Sequence, residues 1–210
     1  MGSLAIFGGT FDPVHIGHLR SAIEVRELLA CDELRFIPCH QPPHRGEPSA
    51  SSAQRLRMLE LAIAGEPGFA VDAREIEREG PSYTIDTLAG LRAEFGCERA
   101  LHVIIGVDAF AALNSWQRWR ELFDFANFVV LQRPDSALPE TGVVAAALRE
   151  RRVEPAVVRE HRCGAIAVVQ QTQLPISATA IRALIRAGRS PRFLLPDAVW
   201  QFIRDTGLYA

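Results

Sequence analysis

The sequence predicts an α/β fold built on a parallel β-sheet with crossover helices. Short, uninterrupted apolar runs, which are typical of buried parallel strands, alternate with segments whose apolar residues recur at helical spacing. The chain has 48% hydrophobic and 23% charged residues, as ordinary soluble globular proteins do, and no apolar run reaches membrane-spanning length. Its 210 residues suffice for one sizeable domain and are few for two, so we expect one domain over 1–210.

The predicted elements follow in order from these patterns. The apolar run Leu4–Phe7 predicts the first strand, and the helical spacing that begins at Leu19 predicts the first helix. Similar apolar runs predict the later strands: Leu34–Pro38, Phe69–Asp72, Leu101–Ile105, Phe128–Leu131 and Ala165–Val169. Helical spacing and capping residues predict the later helices: Ala53–Ala64, Ile85–Phe95, Ser177–Arg186 and Pro196–Thr206. Between 135 and 160 the pattern is weak, with an Ala- and Arg-rich middle typical of a helix.

The turn between the first strand and the first helix carries a motif, Gly8-Gly9-Thr10-Phe11-Asp12-Pro13-Val14-His15-Ile16-Gly17-His18. Two glycines without Cβ let a ligand approach the backbone, and Asp12 can bond the backbone just beyond it. At a helix start, His15 and His18 together with free N–H groups would face one anion, with Gly17 leaving the space between them open. The alternative is a tight turn in which both histidines cap and pack. A metal site is disfavoured because no third ligand is spaced nearby.

Composition excludes several other classes of protein. The 23 basic residues are all Arg, so a P-loop, which needs Lys, is excluded, and the absence of Gly-x-Gly removes the usual dinucleotide fingerprint. The net charge of -2 points to neither a nucleic-acid nor a membrane partner. Four scattered cysteines without a Cys-x-x-Cys pair indicate idle thiols in a reducing cytosol, and no secretory signal is visible. We therefore expect a cytoplasmic protein.

Residues 8–18 resemble the signature of the nucleotidyltransferase superfamily, whose His-x-Gly-His segment holds the phosphates of ATP or CTP. The string is similar to the opening of the bacterial nicotinate mononucleotide adenylyltransferases, and matching motifs run from Leu4 to Leu208. This resemblance implies a Rossmann-like parallel sheet with helices on both faces and a small C-terminal helical part at about 175–210. It implies that ATP and nicotinate mononucleotide give deamido-NAD and pyrophosphate, with Mg2+ bound mainly by the triphosphate and not by protein side chains.

The resemblance also assigns candidate residues for ATP. The catalytic candidates are His15, His18 and Arg182. The segment Ile176–Arg182 is similar to the family's Ile-Ser-Ser-Thr-x-Ile-Arg, although Ala178 replaces the second Ser and its side-chain contact is absent. Without the resemblance, an anion site and a plain helix cap fit this segment equally well. The full set of ATP-binding candidates is Gly8, Gly9, Thr10, Phe11, His15, His18, Gly106, Asp108, Ile176, Ser177, Thr179 and Arg182.

The candidates for the mononucleotide come from the same resemblance: His44, Arg45, Thr84, Trp116 and Arg133. The family's Pro-Pro-His-Lys loop reads Pro-Pro-His-Arg here, which keeps the charge; the competing interpretation is a rigid surface loop. Thr84 and Trp116 would receive the nicotinate ring by backbone contact and by stacking, whereas the residues alone favour core positions for Trp116 and Trp119. Arg133 would hold the mononucleotide phosphate, and Asp108 a ribose.

Three other classes of protein were compared with this hypothesis, and two of them remain as alternatives. Another adenylyltransferase could use nicotinamide mononucleotide or phosphopantetheine; the phosphopantetheine family is typically shorter and has Thr where this chain has His15. A class I aminoacyl-tRNA synthetase shares His-Ile-Gly-His, but this chain is too short and has no Lys for the second synthetase motif. A nucleotide-binding relative without catalysis is the third. The oligomeric state is not written in the sequence.

Overall fold

The computed structural model describes residues 2–41, 46–132, 136–172 and 174–210, and within them a seven-stranded parallel sheet organises the chain. Its strands lie in the order β3-β2-β1-β4-β5-β7-β6. They are β1 (Leu4–Gly9), β2 (Glu33–Pro38), β3 (Phe69–Val71), β4 (Leu101–Gly106), β5 (Asn127–Gln132), β6 (Arg152–Val153) and β7 (Ile166–Gln170). The prediction of a Rossmann-like parallel sheet is confirmed.

The sheet changes its direction of growth between β1 and β4. From β1 the chain proceeds outward to β2 and β3, then returns to place β4 on the other side of β1. The two strands pair from Leu4 with Leu101 to Phe7 with Ile104, although β1 continues to Gly9 and β4 to Gly106. Their carboxyl ends therefore separate, and open α/β sheets bind their ligands in such a crevice.

Helices cover both faces of the sheet, as predicted. They are α1 (Ile16–Leu29), α2 (Ser52–Ile63), α3 (Arg74–Glu77), α4 (Thr84–Phe95), α5 (Val107–Ala111), α6 (Leu122–Phe125), α7 (Gly142–Arg151), α8 (Ala178–Arg186) and α9 (Asp197–Thr206). Short 3-10 turns lie at Leu113–Ser115, Trp119–Glu121 and Pro155–Glu160. None of the described helices combines the length and the apolar character needed to cross a bilayer.

Each face of the sheet has its own hydrophobic core, because successive side chains of a strand point to opposite sides. Phe7 belongs to a core that includes residues of α1, α2, α8 and α9, whereas its neighbour Ile6 belongs to the core covered by α4–α7. The predicted C-terminal helices thus contribute Ile181, Val199 and Ile203 to the first of these cores.

The sequence patterns did not predict one strand and one buried charge. The strand β6 was not predicted, because two residues at the edge of a sheet carry no detectable periodicity. In α2, Leu56 and Leu61 are only partly buried. The buried residues of this helix are Arg55, Met58, Leu59 and Ile63. An arginine therefore occupies a position that helical spacing would reserve for an apolar residue.

A buried histidine in β4 predicts acid sensitivity. The His102 side chain is inaccessible to solvent, and burial lowers its pKa to about 4. The unfolded chain binds a proton at this residue below pH ~6.5, where the folded protein does not, so stability falls as the pH drops from about 6.5 to 4. We expect this residue to make the free energy of unfolding about 2 kcal/mol lower at pH 5 than at pH 7.

The measurement is urea unfolding at both pH values for the unaltered chain and for His102→Gln, which cannot titrate. The pH-dependent difference between them is the contribution of His102. His161→Gln, which replaces an exposed histidine in the same way, is the matched control. An identical pH dependence in His102→Gln would contradict the assigned buried, neutral state.

Candidate active site

A cleft of about 970 Å³ opens where the carboxyl ends of β1 and β4 separate. Its walls include Gly8 at the end of β1, Gly106 at the end of β4 and Leu131 near the end of β5. The volume is at the upper end of the range usual for small-molecule sites. The structure brings to this cleft every candidate residue that it describes: Gly8, Gly9, Thr10, Phe11, His15, His18, Thr84, Gly106, Asp108, Trp116, Ile176, Ser177, Thr179 and Arg182.

Two stacked imidazoles form part of the wall at the start of α1. The ring centroids of His15 and His18 are 3.7 Å apart with an interplanar angle of 24°. The backbone N–H of His15 donates to Nδ1 of His18 at 3.3 Å, which orients the His18 ring at the beginning of the helix. The His15 ring is almost wholly buried against its neighbour, while His18 remains partly exposed. His18 is therefore the more accessible imidazole of the two.

The glycines of this turn make room for its aromatic rings. A Cβ at Gly17 would lie 3.1 Å from the His15 ring, so the expectation that Gly17 keeps an open space between the two histidines was wrong. A Cβ at Gly9 would lie 2.9 Å from the Phe11 ring. Phe11 adopts a left-handed backbone conformation, with φ at 50°, and its ring meets His18 edge-on at 5.1 Å. Gly8 differs, since its missing Cβ would point into empty space.

The start of α1 is less available to an anion than the sequence suggested. The N–H of Ile16 donates to the carbonyl of Leu194 at 2.9 Å, and the N–H of His18 to the carbonyl of His15. These two amides are therefore already used within the fold. The imidazoles and the second helix start, at α8, add further donors to this part of the cleft.

The second helix start faces the same cleft. Ser177 caps α8 by accepting a hydrogen bond from the N–H of Ala180 at 3.1 Å, as predicted. Thr179 and Arg182 lie on the first turns of this helix, and both line the cleft. Hydroxyl groups and a guanidinium at a helix N-terminus provide donors and positive potential for a phosphate.

Asp12 joins four parts of the chain behind this wall. Its carboxylate accepts hydrogen bonds from the N–H groups of Ser49 at 2.8 Å and Ala50 at 3.1 Å, and from the hydroxyl of Tyr209 at 2.7 Å. Its peptide carbonyl accepts a hydrogen bond from Nη1 of Arg182 at 2.5 Å. The expectation that Asp12 bonds the backbone just beyond it was wrong, because its partners are remote in sequence. The residue instead connects the motif to the loop before α2, to α8 and to the segment after α9.

Arg55 stabilises the motif through hydrogen bonds, and its role was not predicted from the sequence. Its guanidinium is wholly buried and donates to the carbonyls of Thr10 at 2.8 Å, His40 at 3.2 Å and Ala50 at 3.3 Å, and to the hydroxyl of Ser52 at 3.0 Å. It thereby ties the residue after β1 to the loop after β2. The one available signal was its helical register with Met58, Leu59 and Ile63, where a charged residue is unusual.

Replacing Arg55 with methionine tests this support. The change leaves the carbonyls of Thr10, His40 and Ala50 without this donor but also removes the cost of burying a charge, so we expect the free energy of unfolding to fall by about 2 kcal/mol. Urea unfolding measures the effect. Arg57, exposed on the same helix, is the matched control, and Arg57→Met should lie within about 0.5 kcal/mol of the unaltered chain. Equal stability of Arg55→Met and the unaltered chain would contradict this role.

The opposite end of the cleft contains the described candidates for the second substrate. Thr84 opens α4, and Trp116 follows the turn Leu113–Ser115; both line the cleft. Trp116 also packs on the core beside α4, as the residues alone suggested. The residue therefore contributes both to the core and to the lining of the cleft. Trp119 packs against Phe123 and does not line the cleft, as expected. Ser82 links this end to the loop after β2, since its hydroxyl accepts a hydrogen bond from the N–H of His40 at 2.8 Å.

Three predicted residues, His44, Arg45 and Arg133, lie outside the described residues. Gly46–Ser49 lines the cleft, and so does Leu131 at the end of β5. The roles of the three residues stay predictions.

Metal ligands and reactive thiols are not part of the described site. Within the ranges that the structure describes, no three His, Cys, Asp or Glu side chains are grouped so that they could hold a metal ion. Burial raises the pKa of Cys39, whose thiol lies 3.8 Å from the Thr10 hydroxyl, and the pKa of the buried Cys31 to about 11. Both thiols are therefore protonated at neutral pH. The donors in the cleft suit an anionic ligand.

Proteins of similar sequence support this interpretation of the fold and of the donors at the two helix starts. The chain belongs to the cytidylyltransferase-like family, whose model matches residues 6–184. It is 49% identical over 207 residues to a protein of Cellvibrio japonicus, covering 99% of this chain and 98% of that protein. It is 52% identical over 209 residues to a protein of Methylococcus capsulatus, covering 99% of each. Both relatives are named probable nicotinate-nucleotide adenylyltransferase, so the resemblance seen in the motifs is confirmed.

A solved structure supports the same architecture. The nicotinic acid mononucleotide adenylyltransferase of Plasmodium falciparum, complexed with NaAD, matches with a TM-score of 0.75. The match covers 100% of this chain and 98% of that protein at 14% sequence identity. A second structure of that protein, complexed with APC, gives a TM-score of 0.73. At such low identity these likenesses establish the fold alone.

Proposed function

We propose that this protein is a nicotinate-nucleotide adenylyltransferase, which transfers AMP from ATP to nicotinate mononucleotide and gives deamido-NAD and pyrophosphate. One observation carries the proposal: His15, His18 and Arg182 line the same cleft as Thr84 and Trp116. A phosphate-binding wall and an aromatic surface thus share one site of a size suitable for two nucleotides. The names of the relatives at about half identity support the same reaction.

The proposed chemistry is a direct in-line displacement. An oxygen of the mononucleotide 5′-phosphate attacks the α-phosphorus of ATP, a new P–O bond forms, and the bond to the β-phosphate oxygen breaks with release of pyrophosphate. No protein nucleophile is needed, because the attacking phosphate is itself competent. The protein positions both substrates and stabilises negative charge that accumulates on the leaving pyrophosphate.

Each described group has a proposed task in this reaction. His18 and Arg182 donate to the phosphates of ATP, the hydroxyls of Ser177 and Thr179 add further donors, and His15 supports the His18 ring by stacking. Asp108 would accept hydroxyls of a ribose, and Trp116 would stack on the nicotinate ring. His44, Arg45 and Arg133 are proposed to approach the mononucleotide.

Mg2+ is proposed to enter the site as part of the substrate, bound mainly by the triphosphate. The imidazole, guanidinium and hydroxyl groups at the two helix starts suit phosphate oxygens better than a hard cation. When bound, the ion would neutralise phosphate charge.

We also propose a single nucleotidyltransferase domain over 1–210, with a C-terminal helical part at about 175–210, and a cytoplasmic location, where ATP is available.

The experiment is a comparison of acceptors. The purified protein is incubated with ATP and Mg2+ and with nicotinate mononucleotide, nicotinamide mononucleotide or phosphopantetheine, and pyrophosphate release is measured. We expect the nicotinate compound to react fastest. Faster reaction with either of the other acceptors would replace the proposed substrate. ATP binding without pyrophosphate release with any acceptor would overturn the proposed catalysis.

Trp116 provides a test of the acceptor end of the cleft. Trp116→Ala removes the proposed stacking surface, which is worth on the order of 1 kcal/mol or more, so the KM for nicotinate mononucleotide should rise about tenfold. The KM for ATP should change little. Trp119→Ala, three residues away and outside the cleft, is the control and should leave both KM values near those of the unaltered chain. Equal effects of the two changes on KM would contradict the assigned contact.

A further inference from the structure

Tyr209 is a buried tyrosine that the proposed chemistry leaves unused. It follows α9, and its side chain packs into the core on the α1 and α2 face of the sheet. Its hydroxyl does not end in the core: it donates to Oδ1 of Asp12 at 2.7 Å. A segment at the far end of the sequence therefore contacts the motif that carries the two histidines.

Asp12 also contacts Arg182 and so connects Tyr209 with that residue. The Asp12 carbonyl accepts the hydrogen bond from Nη1 of Arg182, and the same nitrogen lies 3.6 Å from Oδ2 of Asp12. The Arg182 guanidinium is therefore positioned by the residue whose carboxylate Tyr209 holds. In the part of the chain that the structure describes, Nε of Arg182 is buried and makes no hydrogen bond. The guanidinium thus donates to Asp12 through Nη1, while the Arg182 side chain also lines the cleft.

The hydroxyl also completes the solvation of a buried charge. Asp12 is 6% exposed, so protein donors must replace the water that its carboxylate would otherwise bind. Oδ2 receives the N–H of Ser49, whereas Oδ1 receives both the N–H of Ala50 and the Tyr209 hydroxyl. Losing the hydroxyl would leave Oδ1 with one of these donors, and the carboxylate would gain freedom to turn towards Arg182.

We propose that Tyr209 is a positioning residue for adenylyl transfer, whose hydroxyl holds the Asp12 carboxylate and thereby keeps Arg182 directed at the phosphates of ATP. This inference rests on the proposed function and adds to it a residue outside the cleft lining. It predicts that Tyr209 acts on the rate of the chemical step more than on the binding of either substrate, since Tyr209 is not among the residues that line the cleft.

The test compares Tyr209→Phe with Thr206→Val. The first change removes one oxygen and keeps the packed ring, and the second removes a hydroxyl of α9 that donates only to carbonyls of its own helix. We expect Tyr209→Phe to lower kcat about tenfold with both KM values within about twofold, and Thr206→Val to leave kcat unchanged. An active unaltered chain with an equal kcat in Tyr209→Phe overturns this inference alone. An inactive unaltered chain overturns the proposed function, and the inference with it.

A double-mutant cycle separates positioning from general stability. If Tyr209 acts through Arg182, its substitution should have almost no further effect on kcat when Arg182 is already alanine. A loosened fold would instead lower kcat by the same factor in both backgrounds, and that result would overturn the inference. Melting temperatures of all four proteins, recorded beside the kinetics, ensure that each is assayed in its folded state.

A second variant keeps the inference testable if Tyr209→Phe does not fold. Incorporating 4-aminophenylalanine at position 209 preserves the ring and keeps a hydrogen-bond donor in place of the hydroxyl, whereas 4-fluorophenylalanine fills the same space without a donor. We expect the amino variant to keep kcat within about threefold of the unaltered chain and the fluoro variant to lower kcat about tenfold. An equal kcat in these two variants would overturn the inference.

Discussion

Replacing Arg182 with alanine is expected to lower kcat about a thousandfold in a folded protein. The guanidinium lies on the first turns of α8, lines the cleft, and is held through Nη1 by the Asp12 carbonyl. A charge pair at about 4 Å is worth roughly 4 kcal/mol at an effective dielectric constant near 20, which corresponds to a thousandfold change in rate. Steady-state pyrophosphate release measures kcat, and circular dichroism verifies the fold.

Two further variants sharpen the Arg182 prediction. Arg182→Lys keeps the charge without the planar fork, so its kcat should lie between those of the alanine variant and the unaltered chain. Arg186 lies one turn further along α8 and is exposed, so Arg186→Ala should retain nearly full activity. Similar losses in Arg182→Ala and Arg186→Ala would indicate a general effect of positive charge and would contradict a specific contact.

Replacing His18 is expected to lower kcat about a hundredfold, the usual loss for one donor to a developing charge. The substitution must separate catalysis from capping, because Nδ1 of His18 accepts the N–H of His15 at the start of α1. Asparagine can place an acceptor near the Nδ1 position but carries no counterpart of Nε2, the atom proposed to contact phosphate. His18→Asn and His18→Ala should therefore lose similar activity, with the asparagine variant the more stable of the two.

The control for His18 is a histidine outside the cleft. His161 is exposed and does not line the site, so His161→Asn should keep the unaltered kcat. Near-normal turnover in a folded His18→Asn variant would contradict the proposed phosphate contact. A loss of activity restricted to His18→Ala would assign the residue to helix capping instead.

Local chemistry explains why much of the site was predictable. The residues from Gly8 to His18 are contiguous, and they lie at one strand-to-helix turn at the carboxyl edge of a parallel sheet, where ligands bind. The Ser177 cap of α8 is likewise a local pattern. Alternating apolar runs and helical periods sufficed for a parallel sheet with two covered faces.

The support of the site was unpredictable because its partners are distant in sequence. Asp12 is bonded to Ser49, Ala50, Arg182 and Tyr209, and no pattern within the motif indicates these residues. Packing also altered details of the motif, since the two histidine rings stack where an open space was expected. Arg55 shows a third reason: helical periodicity identifies a buried face but does not say that loop carbonyls need a cation there.

The destination of the α-phosphate of ATP tests the central claim most directly. The protein is incubated with nicotinate mononucleotide, Mg2+ and ATP labelled with 32P at either the α or the γ position, and the products are separated. We predict that the α label appears in the dinucleotide and the γ label in pyrophosphate, and that both transfers slow together in His18→Asn. Release of the γ label as inorganic phosphate, with no α label in a dinucleotide, would contradict adenylyl transfer in this cleft.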